Sequence, residues 1–88
     1  MVTTEDVGKR VIIKLQNQDL HYGEIYDNLT GTLNRFYNSG ECCVILDQSS
    51  IRVVKDYNNK YNHGYILTPC ISSRSVFVFN EKKVLDNE

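Results

Sequence analysis

Residues Gly31 to Leu46, G-T-L-N-R-F-Y-N-S-G-E-C-C-V-I-L, restrict the fold more than any other part of the chain. Thr32, Leu33, Arg35 and Phe36 lead in and Cys42 to Leu46 lead out, flanks made largely of β-formers. Between them, Asn38-Ser39-Gly40 tolerates positive φ and bonds its own backbone. The run therefore reads as two strands joined by a tight polar turn. A short loop of this kind is where a small β-domain tends to carry binding residues.

The other apolar runs have the same period. In K-R-V-I-I-K-L-Q, Val11, Ile13 and Leu15 alternate with Ile12 and Lys14, which predicts a strand with a second face that is partly apolar. Asn17-Gln18-Asp19 reads as a turn and Leu20 to Tyr26 as a second strand. Gly23 in its middle marks a bulge or bend. Asp27 to Gly31 is a further turn. Asp47-Gln48-Ser49-Ser50 turns the chain into I-R-V-V-K, and residues 56–64, D-Y-N-N-K-Y-N-H-G, read as an exposed polar loop without a period. Tyr65 to Leu67 starts a strand that Thr68-Pro69 interrupts. R-S-V-F-V-F, residues 74–79, is the last strand. Ahead of all this, residues 1–8 can form one helical turn capped by Thr3 or Thr4, with Glu5 and Asp6 at its positive end. The charged tail, 81–88, reads as frayed or weakly helical.

The expectation is an all-β fold of five to seven short strands with almost no helix. Strong bends at the glycines let such a sheet curl into a small barrel. With 88 residues, a single domain over 1–80 follows, with a core small enough to gain from partners.

A net charge of −1 argues against a surface that grips nucleic acid everywhere, though it leaves room for a local basic patch. Cys42, Cys43 and Cys70 are odd in number, and two are adjacent. That suits neither a disulfide ladder nor a C-x-x-C metal site, so three buried thiols in a reducing, intracellular setting are expected. No segment resembles a signal peptide or is long enough to span a membrane. The sequence has no Gly-rich phosphate loop, H-E-x-x-H, G-x-S-x-G or paired C-x-x-C. His21 and His63 have no evident catalytic partner, and nothing marks a base for either adjacent cysteine. A non-enzyme without metal or cofactor is expected.

Gly8-Lys9 before V-I-I-K-L, Gly31-Thr32-Leu33, Val44-Ile45-Leu46-Asp47 and Ser73-Arg74-Ser75 before V-F-V-F together resemble the two motifs of the Sm/LSm family, over roughly residues 4–80. The resemblance implies a small, strongly bent, five-stranded SH3-like or Sm-like barrel behind a short N-terminal helix. A competing register puts Gly23, rather than Gly31, at the family's bend glycine. Tyr37 stands at the family's loop Asp, Gly40-Glu41 at its Met-Asn, and Ser75 at the glycine after its Arg. A uridine pocket needs donors and acceptors at those places. What remains of an RNA site is Tyr37, which can stack on a base, Asn38, and Arg74 with Ser75.

The resemblance also implies open edges that pair between subunits by strand addition. Ile66, Leu67, Val76, Phe77, Val78 and Phe79 are the expected partner interface. The expected function is a protein–protein module in ribonucleoprotein (snRNP) assembly, splicing or RNA processing. Its partners would be other Sm/LSm-fold proteins, in a hetero- or homo-oligomer in the nucleus or cytoplasm. The Sm-fold Gemin subunits of the survival-of-motor-neuron complex are the nearest analogy. The alternative is an LSm-type ring subunit that binds single-stranded U-rich RNA.

Overall fold

Val11 and Ile13 alternate with more exposed neighbours along Arg10–Ile13, the first strand, β1. The computed structural model describes residues 1–79, and the charged tail at 81–88 lies outside the described residues. Strands β2 (Thr30–Phe36), β3 (Glu41–Leu46), β4 (Cys70–Ser72) and β5 (Val76–Val78) complete an antiparallel sheet in the order β4-β3-β2-β1-β5. The domain is small and strand-rich, with one α-helix, α1, at Gln48–Tyr61.

The hairpin forms as its residues dictate. Gly31 pairs with Leu46 and Phe36 with Cys42, and the register slips once between Leu33 and Arg35. The turn closes through Tyr37 N to Glu41 O at 2.8 Å and Gly40 N to Tyr37 O at 3.0 Å, with Gly40 at a φ of 92°. The N-terminal helical turn is present as a single 3-10 turn, Thr4–Asp6, in which Thr3 N donates to Asp6 Oδ2 at 2.9 Å.

Gly31 is the glycine within the sheet. A Cβ on it would lie 2.3 Å from the Ile45 carbonyl oxygen and 2.8 Å from Val44 Cγ1. Gly23 is in no strand. The second strand expected at Leu20 to Tyr26 is instead a pair of 3-10 turns, Asn17–Tyr22 and Glu24–Tyr26, joined by Gly23 at a φ of 122°. Two local features favour turns there. Asp19 N bonds back to Gln16 O at 2.8 Å, and Gly23 frees the backbone for the reversal that an extended run does not need.

Helix α1 corrects the expectation of an almost helix-free chain. Asp47 is its N-cap and accepts from Ser50 N at 3.2 Å and from Ser49 Oγ at 3.0 Å. Ile51, Val54, Tyr57 and Asn58 then recur at helical spacing and turn inward, with Val54 fully buried. The β-branched residues Ile51, Val53 and Val54 favour extended backbone, but the cap and the period outweigh that propensity. Residues 56–61, expected as loop, are the end of this helix, and Asn62 closes it in the left-handed region.

The core is Val2, Val11, Ile13, Leu33, Cys42, Val44, Leu46, Val54, Ile71 and Val76, with Tyr26 and Leu29 at its margin. The cysteines also differ from expectation. Only Cys42 is a buried thiol, while Cys43 and Cys70 are bonded to each other across β3 and β4. Strand pairing brings these two sulfurs together from 27 residues apart, a closeness that spacing in the sequence does not reveal.

Candidate functional site

The connection between β4 and β5 is a 3-10 turn, Ser73–Ser75. It folds against the hairpin turn, where Ser73 N donates to Gly40 O at 2.9 Å. The two turns line a groove of about 530 Å³ with Tyr22, Ser39, Glu41 and Arg74 on its walls. Hairpin turn and Arg74 are thus adjacent.

Arg74 has a partner, however. Its Nε and Nη2 donate to Asp19 Oδ2 and Oδ1 at 2.9 and 2.6 Å. Ser75 Oγ donates to the same carboxylate at 2.6 Å and accepts from Gln16 N at 3.0 Å. Asp19 and Ser75 are fully buried. Burial raises the cost of the Asp19 charge, but the Arg74 hydrogen bonds, aided by Ser75, hold its carboxyl below the usual carboxylate range. The arrangement is a fork-to-fork ion pair with one face to solvent, and the Arg74 side chain is 48 % exposed.

Across the groove, Tyr22 Oη donates to Glu41 Oε2 at 2.7 Å. That bond, with burial, pushes the Tyr22 hydroxyl up to about 12. Among the lining side chains the one cation, Arg74, is matched by Asp19, and Glu41 adds a negative charge. The side chains of the groove therefore do not form a cationic cradle for phosphate.

Tyr37 and Asn38, the other expected RNA contacts, are exposed in the hairpin turn. The Arg35 guanidinium lies 5.9 Å from the Tyr37 ring centre, and the Tyr37 hydroxyl lies 3.5 Å from Cys43 Sγ. Arg74 and Ser75 thus meet on Asp19, while Tyr37 belongs with Arg35 and Cys43 on the outer face of β3.

The expected interface residues divide as well. Val76 is fully buried, Val78 is 43 % exposed, and Phe77 and Phe79 are half-buried, with Arg10 4.9 Å over the Phe79 ring. Ile66 and Leu67 are not in the edge strand, which begins at Cys70. Ile66 is exposed, and its carbonyl accepts from Tyr26 Oη at 2.8 Å; Leu67 packs on the core. Proline at 69 explains the displacement: it offers no N–H to a ladder, while its carbonyl still accepts from Val44 N at 3.0 Å.

Asp19, Tyr22 and Glu41 are the residues that sequence reasoning missed. Asp19 looked like an ordinary turn aspartate, and nothing local ties it to a position 55 residues on. The nearest signal was Arg74 itself, a cation beside two serines whose place near the core calls for a carboxylate. Residues 57–65 are also more than an exposed polar loop. The rings of Tyr57, Tyr61, His63 and Tyr65 form a contiguous cluster with centroid distances of 4.6 to 5.6 Å, and the Asn58 side chain holds the backbone of Tyr65 through two hydrogen bonds of 2.9 and 3.0 Å.

Among the described residues, no helix is long and apolar enough to cross a membrane. No group of three or more His, Cys, Asp or Glu is set to hold a metal ion. No family model matches the chain, and no curated protein or solved structure matches it either.

Proposed function

We propose that this chain is a non-catalytic Sm-like protein–protein module, its sheet bent into a small barrel, that pairs with other proteins of its fold through the outer strands during ribonucleoprotein assembly or RNA processing. The observation that carries the reading is the sheet order β4-β3-β2-β1-β5, which leaves two three-residue strands at its two ends. An outer strand presents unpaired N–H and C=O groups, and one with apolar side chains favours a covering partner. On β5, Phe77 and the exposed Val78 supply those side chains. A second support is that Arg74 and Ser75 are engaged with Asp19, so the groups best suited to reading a base already have partners.

The test starts with the mass of the purified chain in solution by light scattering, alone and with candidate Sm-fold proteins. Val78→Asp is the sharpest variant, because that side chain is exposed and its loss spares the core. Loss of the complex with an unchanged circular dichroism spectrum supports the reading. A complex that tolerates both Val78→Asp and Phe77→Asp overturns it.

The alternative, a ring subunit that binds single-stranded U-rich RNA, draws on one observation: the two turns share one groove through Ser73 N and Gly40 O. It requires a stable ring that binds labelled oligo-uridine at moderate salt and weakens with Tyr37→Ala. Arg74→Ala is the wrong probe here, since it also unpairs a buried carboxylate.

A further inference from the structure

We propose that the Cys43–Cys70 bond is a reversible redox site that takes a dithiol reductant as co-substrate, and that its state sets how firmly edge strand β4 is held. The geometry separates the three cysteines cleanly. Along β3, Cys42 and Val44 point into the core and are fully buried, so Cys43 between them points outward. On β4, Ile71 is fully buried and its neighbour Cys70 is exposed. The register sets Cys43 directly opposite Cys70, with Cα atoms 4.2 Å apart. The bond therefore lies on the outer face of the sheet, within reach of a small dithiol.

Strand β4 has little else to hold it. It is three residues long and, among the described residues, pairs with β3 alone. Its non-covalent anchors include the short ladder, the flanking bonds from Val44 N to Pro69 O and from Ser73 N to Gly40 O, the buried side chain of Ile71, and packing on the 3-10 turn Asn17–Tyr22. A covalent cross-link is a large share of so small a set, and it also closes a chain segment with a sequence separation of 27.

Cys42 does not interfere, although it is adjacent in sequence. Its side chain lies on the opposite face and donates to Ile71 O at 3.5 Å. Burial pushes its thiol up to about 11, so it is not a thiolate near neutral pH and does not attack the bond.

The chemistry balances with a dithiol alone. A reductant thiolate attacks Sγ of Cys70, the more exposed of the two residues, and the Cys70–Cys43 bond breaks. Cys43 leaves as a thiolate beside the Tyr37 hydroxyl, 3.5 Å away, and then takes a proton. The second thiol of the reductant, as thiolate, attacks its own sulfur in the mixed disulfide. This releases Cys70 as a thiolate that is protonated in turn. The protein gains two electrons and two protons, and the reductant ends as its own disulfide.

The experiment needs only the chain itself, so it is independent of the pairing reading above. Untreated protein is labelled with N-ethylmaleimide in the native state and again after denaturation, with and without dithiothreitol. The expected pattern is no native label and one after denaturation for the oxidised chain. The reduced chain should take two native labels and three after denaturation, and oxidised glutathione should restore the first pattern. Hydrogen exchange should then show the Ile71 and Ser73 amides, which face β3, opening about 100-fold faster on reduction, and by a larger factor than the Val11 and Leu33 amides in the middle of the sheet. In exchange rates, Cys42→Ala should respond to reduction like the parent, and Cys70→Ser should match the reduced chain; if that variant does not fold, parent protein with and without dithiothreitol carries the comparison. Two native labels before any reductant, equal acceleration across the sheet, or loss of the response in Cys42→Ala would each overturn the proposal.

Discussion

Asp19 is the position where a single substitution tests the reasoning most sharply. Its carboxylate is fully buried and accepts three hydrogen bonds, from Arg74 Nε, Arg74 Nη2 and Ser75 Oγ. Removing it affects the two partners differently. Arg74 is half exposed and recovers water. Ser75 is not, and its hydroxyl is left in the core without an acceptor. A lost charge-assisted bond plus an orphaned buried donor costs about 3 kcal/mol. A domain of this length holds roughly 4–13 kcal/mol in all, so Asp19→Ala should still fold but unfold at clearly lower urea.

The pH dependence separates charge from shape. The folded-state pKa of Asp19 is lowered, so its contribution is fully present above the unfolded carboxylate range and is lost as pH falls through the folded value. Asp19→Asn keeps the shape and loses the charge. Its stability deficit against the parent should therefore be complete at pH 6 and shrink below about pH 4. The chain has no tryptophan, so urea titrations followed by far-ultraviolet circular dichroism are the assay. A deficit for Asp19→Ala under about 0.5 kcal/mol, the ordinary surface range, would refute the account. So would an Asp19→Asn deficit that stays constant from pH 6 to pH 3. Ser75→Ala, which removes one of the three donors, gives a milder check if the alanine variant at 19 does not fold.

Two further outcomes follow from the sheet and the helix cap. Gly31→Ala would drive a Cβ to 2.3 Å from the Ile45 carbonyl oxygen, and because the obstacle is backbone, the β2–β3 pairing must shift. The expected loss is about 3 kcal/mol, at the upper end for overpacking, read from the urea midpoint. At Asp47, burial alone would raise the carboxyl, but bonds from Thr30 Oγ1, Ser50 and Ser49 outweigh it and bring it to about 2. Stability from this group is present above about pH 4 and is lost as pH falls toward 2. Asp47→Asn, which keeps a capping oxygen, should cost about 2 kcal/mol at pH 7, after allowing for partial exposure, and almost nothing at pH 2.

What the sequence discloses here follows the range of the interactions. The hairpin was legible because both strands and their turn are contiguous, and Asn38-Ser39-Gly40 carries its own conformational preference. The alternation of Val11 and Ile13 and the capped turn at Thr3 are likewise local. Helix α1 was hidden by competing local signals: Ile51, Val53 and Val54 favour extended backbone, and the cap at Asp47 looked like one more turn. The turns around Gly23 were hidden because Leu20, Tyr22 and Ile25 imitate a period of two. The candidate site was legible only in half. Arg74 and Ser75 stood out through resemblance, but their shared anchor Asp19, the Tyr22–Glu41 bond and the Cys43–Cys70 bond all join distant segments. Each depends on the finished sheet order, and no spacing along the chain encodes it.

The two hydrogen bonds between the Asn58 side chain and the Tyr65 backbone carry a consequence for how this domain tolerates change. A side-chain amide that satisfies both the N–H and the C=O of one residue stands in for a strand neighbour. It cinches the base of the segment from Asn59 to Gly64, so the chain re-enters the core at the same point whatever the segment's length. Lengthening it there enlarges a closed bight at a cost that grows only with the logarithm of its size. The tip between Asn62 and Gly64 is thus the natural graft point of the molecule, a place where added sequence leaves the sheet, the groove and both outer strands undisturbed.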